Sequence, residues 1–224
     1  GYTDWDVVAV GWRTTCATRS DNSIYCWGRN NEGALGNGTT TNSSVPVRVA
    51  NLEAPNNPCA TTGDCLPKYA LTADDTSCAI ADNNKLYCWG LNSNGQFGNN
   101  NTTSAIVPTE SGGGFSDWTW FDNNASITCG IRSDDSGWCW GKNNVGQVGD
   151  NTTTQRMTPT PISGSYSWRM IDVEDGNNGA VCGTTTDGKL YCWGDNNAGR
   201  LGDGTTTERH VPTLVKGGYE DWWW

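Results

Sequence analysis

The chain predicts an all-β fold, a β-propeller-like tandem array of antiparallel sheets, and three observations carry that expectation. The triplet Cys-Trp-Gly returns four times, beginning at Cys26, Cys88, Cys139 and Cys192. Each copy has the same surroundings: an Asn four positions after the Cys (Asn30, Asn92, Asn143, Asn196), glycines at seven and ten, and a Pro twenty residues on (Pro46, Pro108, Pro159, Pro212). The Cys-to-Cys steps are 62, 51 and 53 residues. A period near fifty, punctuated by Gly and aromatic residues, marks a propeller or a related array. No helical period of useful length interrupts it.

The elements follow in order within each repeat. An aromatic opening leads into a first strand that ends near a Cys, and a turn leads to a second strand through Cys-Trp-Gly. A polar loop and a short edge strand then run to the Pro, a residue suited to strand ends. In the loops the glycines suit positive φ, and Leu35, Phe97, Val148 and Leu201 between them are expected to plug the core below. The openings recur less faithfully: Tyr2 and Trp5, Phe115 and Trp118, and Tyr166 and Trp168 correspond, whereas the second repeat offers only Tyr69. Repeats are placed at 1–67, 68–114, 115–165 and 166–218 of one array spanning 1–224. Residues 219–224 match the opening again and start a fifth, which leaves an open arc or part of a larger array.

Eight cysteines form four pairs of equal spacing: Cys16 and Cys26, Cys78 and Cys88, Cys129 and Cys139, Cys182 and Cys192. Between the members of each pair lie Asp, Asn, Ser or Gly, residues that make tight turns. A ten-residue separation about such a turn places the sulfurs opposite each other on paired strands, within disulfide reach. Cys59 and Cys65 fall in the segment that lengthens the first repeat, 53–67, and most simply close that loop on itself. None of the pairs has the short spacing by which thiolates share a zinc, so no metal is expected. Structural disulfides persist in an oxidising place, which predicts a secreted or cell-surface protein.

Composition narrows the partners. Leu, Ile, Val and Phe supply only 32 of 224 residues, and the net charge is −10. Thirteen Trp, seven Tyr and ten Cys compensate, because aromatic burial and cross-links replace an aliphatic core. The 14 Lys and Arg are scattered singly, with no basic stripe to displace counterions from phosphate, so nucleic acid is not an expected partner. No apolar run approaches the ~20 residues that span a bilayer. The chain opens on Gly1 with neither Met nor a signal peptide, the expectation for a processed product or a section of a longer protein.

The sequence nominates no catalytic constellation. His210, the one histidine, lies in 208–211, read as a surface loop, and is the sole base that a Ser-His or Cys-His arrangement has to draw on. No phosphate loop, dinucleotide fingerprint or zinc-protease motif occurs. The clusters 175–179 and 203–205 hold oxygen ligands but lack the calcium-loop alternation with a terminal Glu. The expectation is therefore a protein that is not an enzyme and carries no cofactor. Trp27, Trp89, Trp140 and Trp193 share one slot in every repeat and suit a ladder of sheet-to-sheet packing. The irregular Trp12, Trp120, Trp138, Trp223 and Trp224 break the repeat and are candidates for an exposed interface. Sequons at Asn37, Asn42, Asn100, Asn101, Asn124 and Asn151 are candidate acceptors of covalent glycans, and five of the six lie in or just after the polar loops.

The pattern Cys-Ala-x6-Tyr-Cys-Trp-Gly-x-Asn-x2-Gly-x2-Gly-(Asn/Asp) resembles the repeat of the regulator of chromosome condensation family. The resemblance covers essentially the whole chain and implies propeller blades, seven in the family's ring against four and a fragment here. Secreted members resemble this chain in their paired cysteines, and one secreted relative is a proteinaceous β-lactamase inhibitor. The founding member is a nuclear exchange factor that binds chromatin, and nothing here matches those surfaces beyond the scaffold. Four repeats leave a sheet face uncovered at each end, which a closed four-bladed ring, a longer chain or head-to-tail association would cover. A contact of the last kind that does not close gives a filament. The leading expectation is a non-catalytic extracellular structural protein that associates with itself, with Trp222, Trp223, Trp224, Tyr2 and Trp5 at the interface. The runner-up is a secreted binding or inhibitory module that recognises another extracellular protein or a glycan through loop aromatics.

Overall fold

The computed structural model describes residues 3–21, 23–50, 69–73, 75–81, 83–174 and 179–217. Within them the fold is all-β: sixteen strands form four antiparallel sheets, each a four-stranded meander in chain order. The first sheet holds β1 (Trp5–Val10), β2 (Thr14–Arg19), β3 (Ile24–Gly28) and β4 (Ser43–Arg48). The second holds β5 (Tyr69–Ala73), β6 (Thr76–Ile80), β7 (Leu86–Gly90) and β8 (Ala105–Glu110). The third holds β9 (Trp118–Asn123), β10 (Ile127–Arg132), β11 (Gly137–Gly141) and β12 (Arg156–Pro161), and the fourth β13 (Trp168–Val173), β14 (Ala180–Thr185), β15 (Leu190–Gly194) and β16 (Arg209–Leu214).

The chain divides into two compact units. Gly1–Ser93 with Asn101–Asp117 makes one, and Asn94–Asn100 with Trp118–Trp224 makes the other. In the first, Cys16, Ile24, Cys26 and Leu35 from the first repeat pack with Ala79, Ala81, Tyr87 and Trp89 from the second. In the second, Cys129, Ile131, Cys139 and Val148 from the third repeat pack with Trp168, Ile171, Val181 and Trp193 from the fourth. Each core is a seam between two sheets, so the scarcity of aliphatic residues is made good by indole rings and sulfur.

The recurrent motif has a local reason at every position. The two cysteines of each pair stand directly opposite on the central hairpin, with Cα atoms 4.1 Å apart, and are joined as Cys16–Cys26, Cys78–Cys88, Cys129–Cys139 and Cys182–Cys192. The predicted Cys59–Cys65 loop lies outside the described residues. Between that Cys and the following Gly the ladder to the fourth strand slips, a bulge at the Trp. The Gly takes φ of +112°, +93°, +113° and +94° in the four copies, which only glycine adopts without strain.

The Asn four residues on braces the loop from within. Asn143 is buried, its Nδ2 donates to the carbonyls of Thr152 (3.0 Å) and Thr154 (3.0 Å), and its Oδ1 accepts from the N–H of Val148 (2.9 Å). Asn30 and Asn196 repeat all three bonds, to Thr39, Thr41 and Leu35 and to Thr205, Thr207 and Leu201. Buried loop backbone must find partners, and one side chain supplies three of them.

Candidate functional site

The feature that recurs with the tightest geometry is the joint by which one repeat seizes the loop of the one before. Trp89 Nε1 donates to the Ala34 carbonyl, Trp140 Nε1 to that of Gln96 and Trp193 Nε1 to that of Gln147, each at 2.8 Å, and all three indoles are fully buried. Ser77 Oγ (3.0 Å) and Thr128 Oγ1 (2.8 Å) donate to the first two carbonyls as well. Each indole lies on a glycine of that loop: a Cβ at Gly36, Gly98 or Gly149 would stand 2.6–2.8 Å from the ring nitrogen. A second bond joins backbones, from the N–H of Gly38 to the Ile106 carbonyl (2.9 Å), of Asn100 to Met157 (2.8 Å) and of Asn151 to His210 (2.9 Å). Joints of this kind occur within the first unit and, twice, within the second.

At the first sheet the same position lacks its counterpart. Trp27 is half-buried, and its Nε1 has no acceptor among the described residues. Thr15 stands beside it across the β2–β3 ladder, as Ser77 stands beside Trp89 and Thr128 beside Trp140. On β1, Trp5, Val8 and Val10 are 39%, 64% and 72% exposed, whereas their counterparts on β13, Trp168, Ile171 and Val173, are 2%, 1% and 7% exposed beneath the third sheet. Trp5 lies edge-on to Tyr25, ring centres 5.7 Å apart, and tilted against Trp27 at 6.2 Å. Trp12 adds a further exposed indole, with the Arg13 guanidinium 3.7 Å from its ring centre. The result is an apolar, aromatic sheet face of the kind that marks a protein-binding surface.

The predicted site residues divide. The ladder of Trp27, Trp89, Trp140 and Trp193 is in place, three rungs closed and one open. Trp5 lies on the exposed face, while Tyr2, Trp222, Trp223 and Trp224 lie outside the described residues. Trp12 is exposed as expected of an irregular Trp, but Trp120 and Trp138 are half-buried. Trp120 Nε1 donates to the Ile171 carbonyl at 3.1 Å, which makes it part of the core seam rather than an interface. Trp138 Nε1 donates to Ser136 Oγ at 2.9 Å, and with Tyr166 and Trp168 it lines a shallow cleft of about 370 Å³ in the second unit.

His210 is corrected from loop to strand. It lies in β16, where its ring and Cα cover Gly146 at the joint and its Nε2 contacts Glu208 Oε1 at 2.9 Å. Asn124, among the predicted glycan acceptors, is buried, and its Nδ2 donates to the Glu174 carbonyl at 2.6 Å. Asn42, Asn100, Asn101 and Asn151 are exposed and Asn37 is half-buried. Of the acidic clusters, residues 175–178 lie outside the described residues. Asp203 is committed elsewhere. The Thr205 hydroxyl, together with Arg209 and Asn196, holds its carboxyl well below the usual range, against the opposing effect of burial. Among the described residues no three His, Cys, Asp or Glu side chains come together as a metal site. No helix there is long and apolar enough to cross a membrane.

Comparison with known proteins agrees with this geometry. A family model described as the regulator of chromosome condensation (RCC1) repeat matches residues 21–57, 134–182 and 187–221, and a second model of the same description matches 6–34 and 74–96. The human E3 ubiquitin-protein ligase HERC2 is 26% identical over 215 residues, 94% of this chain and 4% of its own length. The structure of human WBSCR16 superposes with a TM-score of 0.79 at 19% identity, over 96% of this chain and 54% of that one. Yeast Prp20p, from Saccharomyces cerevisiae, gives 0.78 at 17%, over 97% and 52%. This chain thus spans a small fraction of the ligase and about half of each solved neighbour.

Proposed function

The chain belongs to the regulator of chromosome condensation (RCC1) repeat family, and from that premise we propose that it is a non-catalytic extracellular scaffold that works by docking protein onto its sheet faces. The observation that carries the reading is the exposed face of the first sheet, where Trp5, Val8 and Val10 offer apolar surface that the corresponding Trp168, Ile171 and Val173 of the fourth sheet bury, with exposed Trp12 nearby. The four hairpin disulfides support an oxidising, extracellular setting. Protein docking is compatible with the scaffold: the structure of Prp20p is described with its binding to Gsp1p and histones. The form of docking that we favour is association of the chain with itself into fibres or a surface layer. Electron microscopy of the unreduced protein tests it. Regular fibres with an axial repeat are the expected result, and discrete single particles at every concentration would overturn it.

A second reading rests on the cleft beside Trp138, Tyr166 and Trp168. Aromatic walls with Ser136, Ser165 and Ser167 at the rim suit a protein loop or a glycan, and make a secreted binding module the alternative. Retention of the chain on a glycan array, lost in Trp138→Ala, would favour it over the first.

A further inference from the structure

Three departures from the repeat meet at the cleft in the second unit. Two residues before the second Cys of each pair stand Ile24, Leu86 and Leu190 in the first, second and fourth repeats, but Gly137 in the third. One residue before that Cys stand Tyr25, Tyr87 and Tyr191, but Trp138 in the third. The opening of the fourth repeat lacks the Asp that precedes Trp5 and Trp118, so Tyr166 lies two residues before Trp168 instead of three. The other hairpins build the same four-stranded sheet with the ordinary residues, so the scaffold does not call for these changes.

Together they open space and set ring faces around it. Gly137, Ile162 and Trp168 are buried and form the floor, while half-buried Trp138 and Tyr166 and exposed Ser165 and Ser167 stand around it. A Leu at 137 would fill the floor, since its Cβ alone would stand 2.7 Å from Trp168 Nε1 and 2.9 Å from Ile162 Cδ1. A relay fixes Trp138: its Nε1 donates to Ser136 Oγ (2.9 Å), and that hydroxyl donates to Asp134 (2.5 Å). The Tyr166 ring is held between Trp168 and Tyr191, at 5.2 and 4.6 Å between ring centres. The floor also carries a donor without a partner. Trp168 is 2% exposed, and its Nε1–H meets no acceptor among the described residues, an arrangement that a buried N–H does not ordinarily keep. The hydroxyls of Ser165, Tyr166 and Ser167 are likewise without partners among the described residues.

We propose that this cleft binds an uncharged sugar ring of a glycan, with the C–H face of the ring against Trp138 and Tyr166 and one sugar oxygen accepting from Trp168 Nε1–H. Its volume of about 370 Å³ is that of a small-ligand site. The negative faces of the aromatic rings suit the weakly positive C–H groups of a pyranose. Among the described residues no charged side chain lines the cleft, so a carboxylate sugar finds no counter-charge there. An ammonium ligand is disfavoured as well, because the Arg132 guanidinium already stands 5.6 Å from the Trp138 ring centre. The free groups around the floor are hydroxyls, which both donate and accept, as the hydroxyls of a sugar do. A proline-rich segment also suits aromatic walls, but its carbonyls only accept and would use half of that capacity. The inference rests on the binding-module reading and names the ligand class and the contacts.

The test offers three kinds of immobilised probe to the whole chain with its disulfides intact: glycans ending in glucose, galactose, mannose or N-acetylglucosamine, the same glycans capped with sialic acid, and decaproline. The wild type should bind one or more of the neutral glycans and neither of the other probes. Trp138→Ala removes a half-buried ring and should weaken that binding at least about tenfold. Trp168→Phe keeps a ring at the floor, removes the N–H and should cost about tenfold. Unchanged circular dichroism confirms that both variants fold. Against the deoxy analogue that lacks the accepting oxygen, Trp168→Phe and wild type should bind alike, which a merely structural role for Trp168 would not produce. Binding of decaproline, or of the sialylated glycans, that Trp138→Ala abolishes overturns the uncharged sugar and leaves the binding-module reading standing. Glycan binding that neither variant alters overturns the cleft as its site and likewise leaves a binding module. A wild type that retains no probe at millimolar concentration overturns the proposal and the binding-module reading together.

Discussion

Trp193 is the one donor to the carbonyl of Gln147 among the described residues, at 2.8 Å, and this sets its joint apart from the other two. Val181 occupies the position where Ser77 and Thr128 bring a hydroxyl to Ala34 and Gln96. Trp193→Phe therefore strands a buried carbonyl, whereas Trp89→Phe leaves one donor in place. Both lose ring volume equally, so the difference isolates the bond. In urea unfolding followed by circular dichroism, Trp193→Phe should cost about 1 kcal/mol more than Trp89→Phe.

The loop brace makes a sharper demand. Asn143→Ala leaves the carbonyls of Thr152 and Thr154 and the N–H of Val148 without their partner. The expected loss is at least about 2 kcal/mol. Asn143→Asp should not rescue it despite equal size, because a carboxylate would face two carbonyl oxygens. Equal unfolding midpoints for Asp and wild type would show that shape, not donation, holds the loop.

Reduction in denaturant followed by intact mass should register a gain of ten hydrogens from the ten cysteines. Eight belong to the four hairpin bridges and two to the predicted Cys59–Cys65 loop. Replacing Cys129 and Cys139 together by Ala should cost about 3 kcal/mol, the loop-closure term for so short a ring.

Stability should fall as pH rises across neutrality. Burial pushes the Asp122 carboxyl up to about 7, and neighbouring Asp172 adds to the rise, against the bonds it accepts from the N–H groups of Val173 (2.8 Å) and Asn123 (2.9 Å). An acid whose folded pKa lies above its unfolded value near 3.8 holds a proton in the folded state that the unfolded chain has released. Its contribution is complete below the unfolded value and is lost as pH climbs through 7. Melting temperature should thus decline between about pH 5 and pH 8, and Asp172→Asn, which removes the like charge, should flatten the decline. A profile identical in wild type and variant would refute the coupling.

Produced through a eukaryotic secretory pathway, the folded protein should carry no glycan on Asn124, whose amide nitrogen is engaged with the Glu174 carbonyl. Peptide mapping of the secreted material decides this. Occupancy, where present, belongs at exposed Asn42, Asn100, Asn101 and Asn151 and at half-buried Asn37.

Much of the fold was legible because it is local. A ten-residue spacing about a turn placed each cysteine opposite its partner without knowledge of anything distant, and the alternation of a strand put each recurrent Trp opposite the neighbouring Cys. What escaped depends on contacts far along the chain. Asn124 reads as an ordinary sequon until the Glu174 carbonyl, fifty residues away, takes its amide. Trp120 reads as an irregular surface ring until Ile171 caps it. Asp122 and Asp172 are unremarkable acids whose proximity only the packing of β9 on β13 reveals. Trp27 is the instructive case, since it holds the same slot as the buried Trp89, Trp140 and Trp193 yet is half-buried, with no loop carbonyl among the described residues at its Nε1.

Because each of the three closed rungs of the ladder ends on a main-chain oxygen and not on a side chain, the residue that bears it is under no chemical obligation. Ala34, Gln96 and Gln147 occupy that place in turn, an apolar methyl and two amides. Repeats joined in this way are interchangeable parts. Duplication, loss or shuffling of a unit of about fifty residues leaves the new neighbours able to mate, without any compensating change at the seam. The chain can lengthen or shorten by whole units as freely as a row of identical couplings, and its history is expected to show it.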